Sequence, residues 1–297
     1  MMSYASVVEP LRASNLLLNN TFYQLAHISI SKPNIVSSGG AIINADFHLG
    51  NLEKHDLVLV IAGGNPFSFN NENLFQWLRQ LASRGVALGG ISGGPVILAN
   101  AGVMTNRRMT VHWEHVQKLK EAYPLAMLEK TLYVIDRDRT TCAGGIAPLD
   151  LMHALITEHH GAKFAQIVSD WFMHTHVRPA GGQQRAGLVE RYQTTNTKII
   201  SAIGAMSDHI SDTLSLAQLA KLSDVRRRQL IRHFQNTFGQ SPMEFYRNMR
   251  LEKAQNLLKQ STLSITEIAL ATGFSGSSHF SYQYRKKFGS APSLLRK

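Results

Sequence analysis

The feature that most constrains this chain of 297 residues is an internal repeat over residues 214–292. Ten positions of the first copy are matched by residues of similar role in the second, at an offset of 49 that becomes 50 after a one-residue insertion. The pairs are Leu216/Ile265, Leu219/Ile268, Ala220/Ala269, Asp224/Gly273, Val225/Phe274, Leu230/Phe280, Phe234/Tyr284, Phe238/Phe288, Gly239/Gly289 and Pro242/Pro292. In each copy the apolar spacing predicts a short helix, a tight turn and a longer second helix. The sequence therefore predicts two helix-turn-helix units.

The outward face of each second helix indicates what these units bind. In the first copy the apolar stripe leaves four arginines exposed, and in the second copy a polar set takes the same place. The first set is Arg226, Arg227, Arg228 and Arg232; the second is Ser277, Ser278, His279, Ser281 and Tyr282. Arg285, Lys286 and Lys287 follow and are suited to contacts with the DNA backbone. Arginines at i and i+4 share a helix face and can bind guanine or phosphate in a major groove. A solvated basic face is the alternative, but two matched units favour DNA.

The distribution of charge supports nucleic acid as the partner. Residues 198–297 hold 15 lysines and arginines against 6 acidic residues, a net charge of +9, whereas the whole chain carries +11. A basic C-terminal third is typical of a domain that binds the phosphate backbone.

The segments "RRRQLIRHFQNTFGQSP", "RLEKAQNLLKQSTLSITEIALATGF" and "SHFSYQYRKKFGSAP" resemble the DNA-binding domain of AraC/XylS-type transcription regulators. The resemblance covers about the last hundred residues and implies that a long helix, about Pro242 to Lys259, joins two units that enter successive major grooves. It also implies base-reading positions, which are Arg228, Ile231 and Arg232 in the first unit and Ser278, His279 and Tyr282 in the second. Tyr282 stands where the family often has arginine.

The first half of the chain has an α/β pattern. We expect strands at Phe22 to Ser31, near Ile42, at Leu57 to Ile61, at Val86 to Ile91 and near Met109 to Val111, then a pair within Leu125 to Asp136 beside Arg139 to Cys142. We expect helices at 4–18, Asn71 to Arg84, from about Gly94, at Pro148 to His159 and at Ala162 to His174, whereas a helix at about Thr197 to Ser211 opens the DNA-binding half. This alternation predicts a parallel sheet that is covered on both sides.

Domain boundaries follow from composition. Residues 178–187 contain Pro, Gly and Gln and are typical of a linker. We therefore predict a first domain at 1–177, a linker at 178–195 and a DNA-binding domain at 196–297. The first domain begins with a helix rather than with the buried strand that usually opens a doubly wound sheet, so we expect the natural chain to have an additional N-terminal strand.

The stretch Val86 to Pro95 predicts a strand, a small-residue turn at Ser92 and a helix. This pattern resembles a nucleophile elbow, although plain packing of a helix on a sheet gives it too. Together with "EPLRASN" (9–15), "VHWEH" (111–115) and "IDRDRTTCAGG" (135–145), it resembles the class I glutamine amidotransferase-like (PfpI-like) domain that some AraC-type regulators carry. The resemblance implies an α/β flavodoxin-like doubly wound sheet.

Enzymes of that fold have cysteine at the elbow, whereas this chain has Ser92, so we expect no catalysis. The alternative is an amidase or hydrolase that uses Ser92 and His112, with Glu9. We expect instead a ligand pocket, in which the elbow at Ser92 and Gly93 holds a carboxylate. Either Trp113 or Trp171 offers its ring to a cationic amine, and Glu9 pairs with that amine. Core packing is the competing interpretation of Trp113. Regulators of this kind respond to amino acids or quaternary amines, and the resemblance implies such an effector.

The sequence also argues against a reactive cysteine, a metal site, a cofactor and a membrane span. Cys142 is the only cysteine and is expected to be a buried small residue. The histidines at 112, 115, 153, 159, 160, 174 and 176 lack the spacing of a metal site. No cofactor is indicated, and no apolar run is long enough for a membrane span. We predict a cytoplasmic homodimer whose partners are double-stranded DNA and a small-molecule effector.

Overall fold

The computed structural model describes residues 1–30, 33–50, 55–185, 187–260 and 263–295. The chain divides into two compact units, Met1–Gln184 and Arg185–Lys297. Within the described residues, none of the helices has the length and apolar character that crossing a membrane requires.

The first unit alternates strands and helices. Its strands are β1 (Ile28–Ser29), β2 (Asn34–Val36), β3 (Ile42–Asn44), β4 (Phe47–His48), β5 (Leu57–Ala62), β6 (Ala87–Ser92), β7 (Arg108–Met109), β8 (Met127–Leu128), β9 (Tyr133–Asp136) and β10 (Arg139–Cys142). Its helices are α1 (Met2–Leu18), α2 (Glu72–Ser83), α3 (Gly94–Asn100), α4 (Val116–Ala122), α5 (Ala147–His160) and α6 (Ala162–Trp171).

The central sheet of the first unit has the order β5-β6-β10-β9. Strands β5, β6 and β10 are parallel, and β9 is antiparallel to β10. Side chains along β5 alternate between two cores: Val58 and Val60 pack with α2 and α3, whereas Leu59 and Ile61 pack with α1, α5 and α6. The sheet is covered on both faces, which confirms the predicted doubly wound fold.

One predicted strand is largely absent. Within Phe22 to Ser31, only Ile28–Ser29 is a strand, and Ser31 lies outside the described residues. The side-chain oxygen of Asn15 accepts hydrogen bonds from the backbone N–H groups of Phe22 and Tyr23, at 3.0 and 2.8 Å. These bonds hold residues 22–23 against the end of α1 and use the donors that a neighbouring strand would need.

The second unit is helical. Its helices are α7 (Leu188–Tyr192), α8 (Thr197–Asp208), α9 (Leu216–Leu222), α10 (Arg227–Phe238), α11 (Pro242–Gln260), α12 (Ile265–Ala271) and α13 (Ser277–Phe288). Two separate cores lie in this unit: one joins α8, α9 and α10, and the other joins α12 and α13. Helix α11 contributes Phe245 and Tyr246 to the first core and Leu251, Ala254, Leu257 and Leu258 to the second. The long helix therefore connects the two helix-turn-helix units, as predicted.

The boundary between the units falls inside the segment predicted as the linker, 178–195. Near its start, Arg178 is bonded to the buried carboxylate of Asp150 in the first unit. Further along, Leu188 and Tyr192 of α7 pack on the core of the second unit. Parts of this segment are therefore anchored to one unit or to the other.

Candidate functional site

The two helix-turn-helix units share their backbone hydrogen bonds as well as their sequence pattern. The N–H of Val225 donates to Ala220 O at 3.0 Å, and 49 residues later the N–H of Phe274 donates to Ala269 O at 2.8 Å. The residue before each donor has a positive φ, 51° at Asp224 and 74° at Gly273. The same turn therefore sets the angle between the two helices of each unit.

Matched caps begin the first helix of each unit. The Ser215 hydroxyl and the Gln218 side chain form a capping box on α9, and Ser264 and Glu267 form one on α12. Each box satisfies N–H groups that the first helical turn leaves without partners. The repeat thus includes the polar groups that start each unit, 49 residues apart.

Helix α10 presents the predicted basic face to solvent. Leu230 and Phe234 are fully buried on its inner side. Its outer side carries the residues that the sequence predicts to contact DNA, all exposed: Arg226, Arg227, Arg228, Ile231 and Arg232. Ile231 is 39% exposed and lies among these arginines.

Helix α13 is oriented by the same inner stripe, since Phe280 and Tyr284 are fully buried. Ser278, His279 and Arg285 are exposed, Ser277 is half-buried and the Tyr282 side chain is 65% exposed. A ring of this size in solvent leaves a large apolar area for a partner to cover.

Lys287 differs from its prediction as a contact for the DNA backbone. Its ammonium group donates to Asn248 O at 3.0 Å and to the Glu252 carboxylate at 2.8 Å, so it ties α13 to α11. Arg285 and Lys286 remain exposed at the same end of α13. The side chain of Lys287 therefore supports the unit instead of pointing outward.

Arg250 on α11 is a structural residue that sequence reasoning missed. Its Nε donates to Thr272 O at 2.6 Å, and its guanidinium carbon lies 4.2 Å from the centroid of the Phe274 ring. Burial lowers the pKa of this guanidinium from its ordinary value. The contacts fix the turn of the second unit on the long helix, which in turn orients α13.

In the first unit, the predicted corner between β6 and α3 is present. Ser92 has φ of 61°, a left-handed conformation that is uncommon for a residue with a side chain. A Cβ atom at Gly94 would lie 1.9 Å from Val60 O, and one at Gly144 would lie 2.5 Å from the Ser92 Cβ. The corner therefore needs glycine at both neighbouring positions, and Ser92 remains partly exposed.

The segment after β7 lies beside this corner. The backbone N–H of His112 donates to Ser92 O at 3.3 Å, and the His112 and Trp113 rings are 5.3 Å apart. His115 is buried, and its ring lies 5.9 Å from that of His112. Burial lowers the pKa of both imidazoles. The backbone of His112 is thus held at the Ser92 corner, Trp113 follows it in the chain, and burial favours the neutral form of both histidines.

Two residues of the predicted ligand site have other partners. The N–H of Gly93 donates to Ala62 O at 2.9 Å, so the sheet already uses this donor of the elbow. Glu9 accepts two hydrogen bonds from Arg12 at 2.9 and 2.7 Å. The carboxylate that approaches His112 belongs to Glu114, 3.7 Å from Nδ1, and sequence reasoning missed it. The "VHWEH" motif could have indicated this carboxylate, because it places Glu114 two residues after His112 and next to Trp113.

Cys142 and three further histidines of the first unit are buried or bonded to neighbouring side chains. Cys142 is fully buried, and burial raises the pKa of its thiol to about 12, which confirms the interpretation of a packed small residue. His153 contacts Ser169, His159 contacts Tyr23, and His174 contacts Asp150. Across the residues that the structure describes, no three His, Cys, Asp or Glu side chains form a group that could hold a metal ion.

Comparison with known proteins assigns both units. Residues 7–158, about half of the chain, match the DJ-1/PfpI family, and residues 219–297 match a helix-turn-helix domain. The chain is 39% identical over 298 residues to HTH-type transcriptional regulator GlxA of Rhizobium meliloti (strain 1021), an alignment that covers 100% of this chain and 92% of that protein. The chain belongs to the AraC-type transcription regulators that carry a DJ-1/PfpI domain.

Further relatives agree with this family. HTH-type transcriptional regulator CdhR of Pseudomonas aeruginosa is 40% identical over 296 residues, which are 100% of this chain and 88% of CdhR. The crystal structure of an AraC family transcriptional regulator from Pseudomonas putida superposes with a TM-score of 0.53 at 27% identity and covers 58% of this chain and 92% of that one. The regulator is thus a DNA-binding protein rather than an enzyme, as its relatives are, despite its PfpI-like unit.

Proposed function

We propose that this regulator reads DNA with α10 and α13 in successive major grooves and that a small amino-acid-like or quaternary-amine metabolite controls it through the first unit. The observation that carries the first part is the matched geometry of the two units. The same turn, the same caps and the same buried stripe expose the outer faces of both second helices.

Each exposed side chain has a role in this proposal. Arg228, Ile231 and Arg232 contact base edges in one groove, and Ser278, His279 and Tyr282 contact base edges in the next. Five further exposed or half-buried side chains at the ends of the two helices contact phosphates: Arg226, Arg227, Ser277, Arg285 and Lys286. The net charge of +9 over residues 198–297 supports the backbone contribution.

Selection from a library of random duplexes tests the proposed reading of DNA. The full chain is expected to enrich a half-site with two elements about 10 base pairs apart, one helical turn of DNA, and a dimer is expected to enrich a pair of such half-sites. The double variant Arg228→Ala/Arg232→Ala is expected to lose one element and retain the other. Enrichment of the same two elements by the double variant would show that α10 does not read bases.

In the first unit, the effector site lies at the corner formed by Ser92, His112 and Trp113. The half-exposed Trp113 ring can receive a cationic amine, an attraction of about 0.5–2 kcal/mol. Glu114, whose carboxylate is 3.7 Å from His112, supplies a negative charge beside that ring. The effector's carboxylate meets the Ser92 hydroxyl, since Gly93 N–H is bonded to Ala62 O and Glu9 to Arg12.

Thermal melting of the full chain tests the effector site. A ligand that binds only the folded state raises the melting temperature, so we expect a rise with one class among amino acids, betaines, carnitine and polyamines. Trp113→Leu removes the aromatic face and is expected to abolish the rise, while the matched variant Trp171→Leu, at a 52% exposed position elsewhere in the unit, retains it. Equal rises in both variants would remove Trp113 from the site.

The assembly completes the proposal. The regulator acts in the cytoplasm as a homodimer through its sensing domain, 1–177, and the segment 178–195 connects this domain to the reading domain, 196–297. Dimerisation places two reading domains on a paired DNA site, and effector binding changes the affinity for that pair. Sedimentation of the full chain at micromolar concentration gives the oligomeric state directly, and a monomer there would contradict the dimer.

A further inference from the structure

The two reading helices carry their positive charge at opposite ends. Positions in α10 and α13 correspond at an offset of 50, and the first turns pair arginine with serine or tyrosine: Arg227/Ser277, Arg228/Ser278 and Arg232/Tyr282. In the last turn the relation is reversed, and neutral residues of α10 pair with cations of α13: Gln235/Arg285 and Asn236/Lys286. All ten are exposed except the half-buried Ser277.

The position of a charge along such a helix determines what it contacts. In helix-turn-helix proteins the N-terminal residues of the second helix reach base edges. Guanidinium groups there form two hydrogen bonds with guanine O6 and N7, which makes arginine the commonest guanine reader. Cations in the last turn, as in α13, are placed instead to attract phosphates.

The first turns of α13 offer a different kind of surface. The Ser278 hydroxyl can both donate and accept, so it can hydrogen-bond to more than one kind of base and selects weakly among them. Tyr282 is 65% exposed, and its ring presents an apolar edge. Apolar groups in the major groove discriminate by contact with the C5-methyl of thymine. His279 is held in place on the same face: its ring lies 5.8 Å from Phe274, and its Nε2 lies 3.4 Å from Gln283 Nε2.

We propose that the DNA site of this regulator is asymmetric in base composition, with Tyr282 as the residue that determines specificity in the second unit. The element read by α10 contains guanine, and the element read by α13 is rich in A·T pairs, with a thymine methyl against the Tyr282 ring. This inference rests on the proposed placement of α10 and α13 in major grooves, and it adds which base class each helix selects.

The distribution of phosphate contacts follows from the same asymmetry. Arg285 and Lys286 supply attraction to the backbone in the second unit, where the reading turns have no cation. Lys286→Gln is therefore expected to weaken binding to all sequences by a similar factor and to lower the slope of log K against log salt by about one. The base preferences are expected to stay as they are.

Reciprocal exchange of the matched residues tests the proposal. Random duplexes are selected with the full chain and with Tyr282→Arg, Arg232→Tyr and Tyr282→Phe. Tyr282→Arg is expected to replace one A·T pair of the second element by G·C, with a preference of roughly tenfold, and to leave the first element unchanged. Arg232→Tyr is expected to remove a guanine from the first element only. Tyr282→Phe keeps the ring edge and is expected to keep the thymine.

Each outcome has a distinct meaning. Both side chains are exposed, so the variants are expected to fold, which circular dichroism checks. If the wild-type chain enriches no pair of elements, or if Arg232→Tyr leaves both elements unchanged, the placement of the helices in the grooves is wrong. If two elements appear and the second already contains invariant G·C pairs, or does not change in Tyr282→Arg, the asymmetry alone is overturned.

Discussion

The side-chain amide of Gln184 donates a hydrogen bond to the backbone oxygen of Val111 at 3.0 Å. Gln184 is the last residue of the first unit, and Val111 directly precedes His112, whose N–H is bonded to Ser92 O. The same amide nitrogen also donates to Thr131 O at 2.7 Å and to Thr110 Oγ1 at 3.1 Å. The end of the first unit is therefore joined, through one neighbouring residue, to the segment that forms the candidate effector site.

Gln184→Glu tests how much this anchor contributes to stability. A carboxylate cannot donate, and it would face three oxygen acceptors, so the free energy of unfolding of the first unit is expected to fall by about 1–3 kcal/mol. All three tryptophans of the chain lie in this unit, so tryptophan fluorescence in urea reports its unfolding. Gln183→Glu makes the same charge change at an exposed neighbour and is the control. Equal losses in the two variants would show that the hydrogen bonds of Gln184 are unimportant.

Asp150 is the second anchor of the same segment. Its fully buried carboxylate accepts hydrogen bonds from the Arg178 backbone N–H at 2.8 Å, from the Arg178 guanidinium at 2.6 Å and from His174 at 2.9 Å. Asp150→Asn keeps the shape but removes the charge, and the amide cannot accept all of these bonds. We expect a loss of about 1–3 kcal/mol in the urea unfolding of the first unit, since Arg178 retains some contact with water.

The control for Asp150→Asn is Asp56→Asn, the same substitution at an exposed aspartate. It is expected to change the free energy of unfolding by less than about 0.5 kcal/mol. A loss as small in Asp150→Asn would mean that water replaces the ion pair without cost.

The sequence predicts the second unit well because local rules dominate there. The caps and turn residues recur at an offset of 49 and the four-residue apolar spacing of the second helix at an offset of 50, so the prediction for each copy checks the prediction for the other. The fate of Lys287 could not be predicted, because its partner Glu252 is 35 residues away on a different helix. Sequence places both on outward positions, and only the packing of α13 on α11 brings them together.

In the first unit the order of strands and helices is predictable, whereas short strands and site partners are not. The predicted strand from Phe22 fails because one side chain, Asn15, takes its backbone donors. The corner at Ser92 was recognisable from its glycines, yet the Gly93 N–H is engaged by Ala62 O, a partner from the neighbouring strand. Asp150 resembles an ordinary helix acid in the sequence, and its burial depends on Arg178 returning from beyond α6.

The reactivity of Cys142 reports whether the core between the sheet and helices α1, α5 and α6 is closed to solvent. Burial raises the pKa of its thiol from 9.0 to about 12, so the folded chain keeps it protonated through neutral and mildly alkaline pH. Alkylation by iodoacetamide at pH 8 is expected to be at least about 100-fold slower in the folded chain than in urea, because the thiolate is the nucleophile. Mass spectrometry follows the reaction without ambiguity, since Cys142 is the only cysteine. Equal rates would place this thiol at the surface.

The same shift has a consequence for stability. Because the pKa is higher in the folded state than in the unfolded state, this thiol favours folding below pH 9 and its contribution is lost as the pH rises further. The effect is expected in the unfolding of the first unit only.

Arg228 tests the energetic contribution of a single reading residue. It is exposed in the first turn of α10, where a guanidinium can form two bonds with a guanine. With duplexes selected by the wild-type chain, Arg228→Ala is expected to weaken binding by about 1–3 kcal/mol and to relax preference at one base pair. Arg84→Ala removes an exposed arginine from the first unit and controls for the change in net charge.

Fluorescence anisotropy at two salt concentrations separates base reading from simple charge. If Arg228 contacts a base, the loss in affinity depends on which base pair occupies its position, and a duplex with the wrong pair shows almost no further loss in the variant. A loss of the same size on every duplex, with a salt slope lowered by about one, would instead assign Arg228 to a phosphate. Arg84→Ala is expected to leave both the affinity and the slope nearly unchanged.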